Sequence, residues 1–394
     1  MTTNIKNQNT KIIFINTQQA LSDYVQEFAA AKELALDLEF DSNRYAYGFK
    51  LCLIQICASG KCFVIDPLSG IDCQPFFRLL EKPELLKILH AHGEDMRLLH
   101  SLGCKPVNIY DTDIAAKLLN YEKTSLGNML ESVLGLTLDK SAQGNNWLKR
   151  PLTEAQIVYA SNDVIHLRDL MNALIKEAQE KNRDKWIEEE NKLLDNYTFN
   201  KVPKESLLSG KDRKGLSAYQ QFLLNEWLKF REALAEKLDK PAYQVISPEL
   251  LRDIATAAFD LNNWMQARGI MWKLKEEQFM QIMLDKNVEF IALADSKVLS
   301  KDLNGKQWLS PEEWEAKKHR IADSEKIKAE VFMPVKEGLA KHYGSTAASF
   351  MLSNSLIEEL IQGKKKLREL NLNYRAQIIE SIAIEQGIDM EIYY

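Results

Sequence analysis

The sequence predicts an α/β domain with a mixed sheet at the N-terminus, followed by a helical C-terminal half. Between residues 11 and 120 short apolar runs alternate with segments of helical spacing, whereas from residue 216 onward apolar residues recur almost only at helical spacing. The 394 residues are 45% hydrophobic and 27% charged, which is typical of a globular chain with more than one core. We find no signal peptide and no apolar run that could span a membrane, so we expect a cytoplasmic protein without a membrane partner.

Five apolar runs predict the strands of the sheet, with a β-rich lead-in at residues 11–16. The five runs are residues 34–40, 50–58, 61–66, 86–90 and 107–110. Short connections join the first three runs, which favours an antiparallel meander. Helical segments separate the later runs, which predicts parallel pairing. Thr17 is suited to cap the first helix, and Asp111 or Thr112 the helix that follows the fifth strand.

The pattern divides the chain into three folded segments. We expect the first domain at residues 1–200 and a polar linker with Pro203 at residues 201–215. Helical domains are then predicted at residues 216–296 and 308–394, separated by a polar break around Asn304 and Gly305.

Composition excludes several classes of protein. The five cysteines all precede residue 105 and include no C-x-x-C pair, so they are expected to be buried, reduced thiols, not a disulfide framework or a zinc site. A net charge of -5 argues against a protein that coats nucleic acid. This net charge is compatible with an enzyme that binds one end of a nucleic acid strand.

Acidic residues stand out in two of these elements. Asp37 and Glu39 lie two apart in an apolar strand, so both side chains point to one face. Tyr159 and Asp163 lie four apart in a helical segment and share a face of that helix. Asp95 begins the helix between these two elements. Carboxylates placed in an apolar setting need a counter-charge, and a cation is the natural one.

Four converging carboxylates suit a pair of divalent ions, Mg²⁺ or Mn²⁺, that activate water against a phosphodiester. In this interpretation Asp37 bridges both ions, Glu39 and Asp163 hold the ion that activates the water, and Asp95 acts on the other ion. Tyr159 orients the attacking water. General-base action by this phenol is the bolder alternative, because its ordinary pKa is near 10.

Other polar residues are weaker candidates, and each has a plainer alternative. Gln55 either faces substrate or is a satisfied buried amide. His90 and His92 either touch a phosphate or have core or surface roles. Trp147 precedes Lys149 and Arg150, a combination suited to a nucleic acid strand, although plain packing of the Trp147 ring is equally compatible.

Four stretches, taken in order, resemble the three exonuclease motifs of the DEDD superfamily of 3'-5' exonucleases. They are Asp37-Leu38-Glu39-Phe40, residues 51–56, residues 90–95 and residues 159–163. The tyrosine four residues before the last aspartate is similar to the subgroup that has Tyr at this position. Residues 138–141 and 147–153 are similar to the ribonuclease D family in particular. Residues 224–236 resemble the HRDC-type helical domain that this family shares with RecQ-type helicases, and a second, divergent copy follows from about residue 310.

The resemblance implies an RNase H-like fold with a five-stranded mixed sheet, and 3'-5' removal of nucleotides from RNA, including transfer RNA precursors. It implies a monomer that acts on free RNA 3' ends. The substrate contacts that we expect are Phe40, Gln55, His92, Trp147, Lys149 and Arg150. Two alternatives remain: a DNA exonuclease of the same superfamily, or a scaffold that binds nucleic acid without catalysis.

Overall fold

A sheet of seven strands forms the centre of the N-terminal region. The computed structural model describes residues 3–7, 10–138, 144–198, 206–301 and 311–393. The strands are β1 (Thr3–Asn7), β2 (Thr10–Ile15), β3 (Glu33–Ser42), β4 (Phe49–Ala58), β5 (Lys61–Ile65), β6 (Leu86–Leu89) and β7 (Ile109–Asp111). Their order across the sheet is β1-β2-β5-β4-β3-β6-β7.

The pairing directions confirm the predicted mixed sheet. β4 and β5 are antiparallel, whereas β3 pairs with β6, and β6 with β7, in parallel. The five predicted strands are present, and an N-terminal hairpin adds two more. In this hairpin β1 pairs antiparallel with β2, and β2 pairs in parallel with β5. The lead-in at residues 11–16 is therefore a full member of the sheet, because the other side of β5 offers it a hydrogen-bonding partner.

Burial along β4 explains why it lies inside the sheet. Residues 51–56 are all buried, a continuous apolar run typical of a strand that is covered on both faces. Phe63 of β5 packs edge-on against Phe28, with ring centroids 4.8 Å apart. All five cysteines are free thiols, of which four are buried as predicted, whereas Cys57 is partly exposed.

Helices of the N-terminal region surround this sheet. They are α1 (Gln18–Ala30), α2 (Gln74–Leu80), α3 (Gly93–Ser101), α4 (Thr112–Leu118), α5 (Leu126–Leu134), α6 (Glu154–Ile165), α7 (Leu167–Glu180) and α8 (Asp184–Leu194). Thr17 caps α1 by accepting the Ala20 N–H at 3.3 Å, and Asp111 caps α4. Both caps match the prediction.

The chain forms two compact units. One contains residues 1–40, 51–199 and 317–394, and the other residues 41–50 and 200–316. The helices of the second unit are α9 (Gly210–Gly215), α10 (Ala218–Leu238), α11 (Ala242–Val245), α12 (Pro248–Ala255) and α13 (Glu277–Ser296). Their core centres on the buried indoles of Trp227 and Trp264.

Part of the predicted linker is helical. Residues 201–205 lie outside the described residues, but Ser209 begins α9 with a capping box that it forms with Asp212. Asp212 also forms an ion pair with Arg252, at 2.5 Å. Within the described residues 206–215, the predicted linker is therefore packed as part of the second unit.

The last helices belong to the unit that contains the sheet. They are α15 (Met333–Tyr343), α16 (Ser345–Met351), α17 (Asn354–Ile361) and α18 (Asn373–Glu385), preceded by α14 (Pro311–Ile327). Glu190 of α8 is buried and accepts hydrogen bonds from Tyr374 and Arg375. The Trp186 ring stacks on Tyr374 with centroids 5.3 Å apart.

These contacts correct one predicted boundary. The sequence assigns residues 308–394 to a helical domain of their own, of which residues 308–310 and residue 394 lie outside the described part. In the structure residues 317–394 share a compact unit with the sheet. The physical reason is the buried Glu190, whose negative charge is balanced by Arg375.

No helix within the described ranges is both long and apolar enough to cross a membrane.

Candidate active site

The first two acids of the site lie on β3. Leu36 and Leu38 are buried in this strand, while the alternating positions Asp37 and Glu39 are half-buried on the opposite face. The period of two in an extended strand therefore separates the core-facing leucines from the acids. The prediction that both carboxylates share one face is confirmed by their geometry, since they belong to one cluster.

The next two residues of the site lie on α6. Thr153 begins this helix with a capping box, in which its hydroxyl accepts the Gln156 N–H at 3.2 Å. Tyr159 and Asp163, one helical turn apart, are both half-buried. Cys62 of β5 lies 4.0 Å from the Ser161 carbonyl oxygen and so marks the face of the sheet on which α6 packs.

Three carboxylates converge between β3 and α6. One oxygen from each of Asp37, Glu39 and Asp163 lies within 4.8 Å of the other two. Carboxylate oxygens are the ligands that Mg²⁺ and Mn²⁺ prefer. This donor set therefore fits a divalent ion, and like charges at such separations are the reason that it needs one.

Asp95 completes the set from the first turn of α3 and is buried. It is not a member of the 4.8 Å cluster. Its negative charge nevertheless raises the pKa of Asp37 and of Glu39. The structure thus brings all four predicted acids into one electrostatic neighbourhood.

Burial perturbs every acid of this group, and repulsion by the other members adds to it at Asp37 and Glu39. Burial, then the charges of Asp95, Asp163 and Glu39, raise the pKa of Asp37 well above its usual range. The pKa of Glu39 is raised to about 8, by burial and then by Asp163 and Asp95. Burial is also the main cause that raises the pKa of Asp95 to about 8 and that of Asp163 to about 6. Strongly perturbed acids that lie close together are typical of a functional site.

Asp111, the acid most easily mistaken for a ligand, instead holds the loop before α3. Its side chain is buried and accepts the Ala91 and His92 backbone N–H groups, both at 2.9 Å. The His92 ring also hydrogen-bonds to it. Burial alone would raise the pKa of Asp111, but the hydrogen bonds and charge of His92 lower it. His92, a predicted substrate contact, is thereby engaged by Asp111.

The other predicted substrate contacts differ in what they touch. Gln55 is fully buried, and its amide has no hydrogen-bond partner among the described residues. Lys149 is exposed, and Phe40 is half-buried on β3. Trp147 is 6% exposed, and its ring stacks on Tyr159. Of the family-like stretch at residues 138–141, residues 139–141 lie outside the described part of the chain.

Arg150, a predicted substrate contact, is engaged within the protein. Its guanidinium donates to both oxygens of Asp66, at 2.7 Å each, and to three backbone carbonyls. A guanidinium has five N–H donors, so none remains for a phosphate. Asp66 was missed by the sequence reasoning. The available signal was an acid directly after the apolar run of β5.

Comparisons with known proteins agree with this geometry. The model of a family described as "3'-5' exonuclease" matches residues 12–179. Ribonuclease D of Gluconacetobacter diazotrophicus is 30% identical over 263 residues, which cover 66% of this chain and 66% of that one. Ribonuclease D of Desulfotalea psychrophila is 35% identical over 251 residues, 61% of this chain and 66% of that one. The chain thus aligns with just under two thirds of the length of these relatives.

Solved structures show the same fold over more of the chain. The crystal structure of Escherichia coli RNase D has a TM-score of 0.67 at 24% identity and covers 94% of this chain and 98% of that one. A protein from Bifidobacterium adolescentis has a TM-score of 0.71 at 21% identity, with coverage of 94% and 96%. Residues 12–179 are thus similar to a 3'-5' exonuclease domain, and the acid cluster within them fits a divalent ion. The chain is similar to ribonucleases D over somewhat less than two thirds of its length.

Proposed function

We propose that this protein is a metal-dependent exoribonuclease that removes nucleoside 5'-monophosphates from RNA 3' ends. The observation that carries the proposal is the convergence of Asp37, Glu39 and Asp163 within 4.8 Å. Asp95 adds a fourth negative charge beside them. Such a set has no evident structural use, because buried like charges destabilise the fold unless a cation balances them.

Two divalent ions, Mg²⁺ or Mn²⁺, are the proposed cofactors. When bound, they would lower the pKa of a water molecule and stabilise the attacking and leaving oxygens of the phosphodiester. Asp37, Glu39 and Asp163 would hold the ion on the side of the attacking water, with Asp37 shared with a second ion, and Asp95 would serve that second ion. The pKa values of about 8 for Glu39 and Asp95 mean that cations must compete with protons for these residues at neutral pH.

Tyr159 positions the attacking water through its hydroxyl group. It lies one turn before Asp163 on α6, so both side chains act on the same side of the cluster. An ordinary phenol is a weak base at neutral pH, and orientation of water requires no loss of its proton. His92, Lys149 and Phe40 remain the proposed substrate contacts.

RNA is the proposed substrate because the relatives at 30% and 35% identity are ribonucleases D. Transfer RNA precursors with free 3' ends are the finer proposal, and the protein would act as a monomer. Residues 216–296 would serve as an HRDC-type module that engages RNA. A DNA exonuclease is the second candidate, since the site chemistry is the same for both sugars and contacts to the 2'-hydroxyl decide between them.

The test offers matched RNA and DNA single strands to the full chain, each labelled at its 5' end. We expect a ladder of products shortened from the 3' end on RNA, loss of activity with EDTA, and recovery with Mg²⁺ or Mn²⁺. A 3'-phosphate should block digestion. Equal digestion of DNA would support the second candidate, and digestion of the blocked RNA would indicate an endonuclease. Binding of RNA without any product would instead support a scaffold.

A further inference from the structure

The indole of Trp147 packs against the proposed water-orienting residue. Its ring centroid lies 6.2 Å from that of Tyr159, with an angle of 28° between the ring planes. Only 6% of Trp147 is exposed. A ring buried to this extent has little surface left for a nucleotide base, so its principal contact is with protein. Offset stacking also restricts the orientation of both rings.

Arg150 fixes the backbone that presents this indole. Its Nη1 donates to the carbonyl oxygens of Trp147 and Lys149, at 2.7 and 2.8 Å. Its Nη2 donates to the Cys52 carbonyl of β4 at 2.9 Å. The guanidinium thus joins the loop that contains Trp147 to the middle of the sheet.

Asp66 holds the other side of the guanidinium. It accepts from Nε and Nη2 in a bidentate pair, and its side chain is 5% exposed. Asp66 is itself fixed, because its Oδ1 accepts the Leu68 N–H at 3.0 Å and its own N–H donates to the Ile15 carbonyl at 2.9 Å. Bidentate pairs of this kind define the orientation of a guanidinium more strictly than a single hydrogen bond does.

The same segment leads into the helix that bears Tyr159. Arg150 lies three residues before Thr153, whose capping box begins α6. Tyr159 is therefore constrained twice, by the start of its helix and by the Trp147 ring. Neither constraint requires a bound ligand.

We infer that Trp147 and Arg150 are positioning residues for the Tyr159 hydroxyl. Trp147 sets the ring plane of Tyr159, and Arg150 keeps Trp147 in place through five donors. The inference rests on the proposed function for its catalytic consequence. Its structural content, that the Trp147 ring determines the environment of Tyr159, holds independently of activity.

The kinetic test is a double-mutant cycle on a short single-stranded RNA. We expect Trp147→Ala to lower kcat by about tenfold with KM within about twofold, because misplacement of one orienting group slows chemistry more than binding. Trp147→Phe should recover most of the loss. In a Tyr159→Phe background, Trp147→Ala should cost little more. If the losses in kcat of the two single variants multiplied in the double variant, or if a raised KM were the main effect of Trp147→Ala, the inference would be overturned in favour of direct substrate contact.

A second readout does not depend on activity. The protein is labelled with 3-fluorotyrosine, and the ¹⁹F resonance of Tyr159, one of 13 tyrosines, is assigned by its absence in Tyr159→Phe. We expect Trp147→Ala to shift or broaden this resonance and Arg150→Lys to broaden it, with Trp147→Phe close to wild type. An unmoved resonance in Trp147→Ala overturns the inference, whether or not the protein degrades RNA.

A matched control removes an aromatic pair from the other face of the sheet. Tyr24 packs on Phe63 with ring centroids 5.1 Å apart. Phe63 follows Cys62, which faces α6, so Phe63 and Tyr24 lie on the opposite face. Tyr24→Ala should leave the Tyr159 resonance and kcat unchanged. If wild-type protein digests no RNA while Trp147→Ala still moves the resonance, the proposed function fails and the positioning contact stands.

Discussion

At the scale of single residues, the site combines strong repulsion with a defined geometry. Three carboxylates share a space of 4.8 Å, and burial raises the pKa of each. Their arrangement follows from spacings of two in a strand and four in a helix, which is why sequence alone predicted it. The partner of Arg150 was not predictable in this way. Asp66 is 84 residues away along the chain, and no local periodicity connects the two.

Replacing the central acid tests the ligand assignment. We expect Asp37→Asn to lower the rate of RNA digestion by about 1,000-fold or more, because each tenfold loss corresponds to about 1.4 kcal/mol and a metal supplies several kcal/mol. Folding should be intact, since the amide has nearly the same shape and removes a repelled charge. The measurements are initial rates with end-labelled RNA and circular dichroism. Wild-type rates in the variant would remove Asp37 from the mechanism.

The raised pKa values predict how pH acts on the metal-free protein. The unfolded acids titrate near 4, but folded Glu39 and Asp95 titrate at about 8 and Asp163 at about 6. Between pH of about 4 and about 8 the folded state binds more protons than the unfolded state. The contribution of the cluster to the free energy of unfolding therefore falls as pH rises through this range. Urea unfolding in EDTA at pH 5, 6.5 and 8 measures this fall.

The contrast between wild type and Asp37→Asn isolates the cluster in that experiment. The variant should lose less stability over the same pH range, because one repelled charge is absent. Added Mg²⁺ or Mn²⁺ should stabilise the wild type most at pH 8, where the ligands are deprotonated. A wild type that gains stability relative to the variant as pH rises would contradict the assigned shifts.

At the scale of elements, the site depends on how the loop between β6 and α3 is held. Asp111 ends β7 and accepts the backbone N–H groups of Ala91 and His92. It also accepts the Asp113 N–H at 2.7 Å. One carboxylate thereby joins the end of β7, the start of α4 and the turn that leads to Asp95.

Asp111→Ala should therefore reduce both stability and activity. It leaves the buried Asp113 N–H and the part-buried Ala91 and His92 N–H groups without their acceptor. A buried unpaired donor costs about 1–3 kcal/mol and a part-buried one less, so we expect a loss of about 3 kcal/mol in the free energy of unfolding. Asp113→Ala is the matched control, since it removes the ion pair with Lys117 but leaves the Asp111 carboxylate in place as an acceptor, and it should cost about 1 kcal/mol. Urea unfolding measures both. Equal losses in the two variants would argue against the loop-holding role.

Sequence periodicity predicted the elements well where the pattern was strong. The buried runs of β3, β4 and β5 were found because apolar residues dominate them. The sequence analysis predicted only a β-rich lead-in at residues 11–16 and did not predict the N-terminal hairpin of β1 and β2. The β1 segment is polar in sequence, and its pairing is supplied by β2 and not by its own composition.

At the scale of the whole molecule, the C-terminal helices are part of the unit that contains the carboxylates. Asn120, which follows α4, accepts the Thr346 N–H at the start of α16, at 3.0 Å. Gly344 has φ +92, and a Cβ there would lie 2.0 Å from the Asn120 side chain. These contacts join residues more than 200 positions apart, so no pattern within one segment could predict them. The boundary at residue 308 was drawn from local composition alone.

Breaking this attachment should therefore destabilise the unit that bears the active site. Glu190→Ala leaves the Arg375 charge buried without its partner, for which we expect a loss of about 3 kcal/mol in the free energy of unfolding. Glu188→Ala, an exposed neighbour on α8, should have almost no effect. In Glu190→Ala we expect weaker protection of β6 and β7 against hydrogen exchange than in wild type. We also expect less RNA-digesting activity to survive mild heating. If Glu190→Ala loosened only residues 317–394 and left the strands protected, those helices would be an independent domain after all.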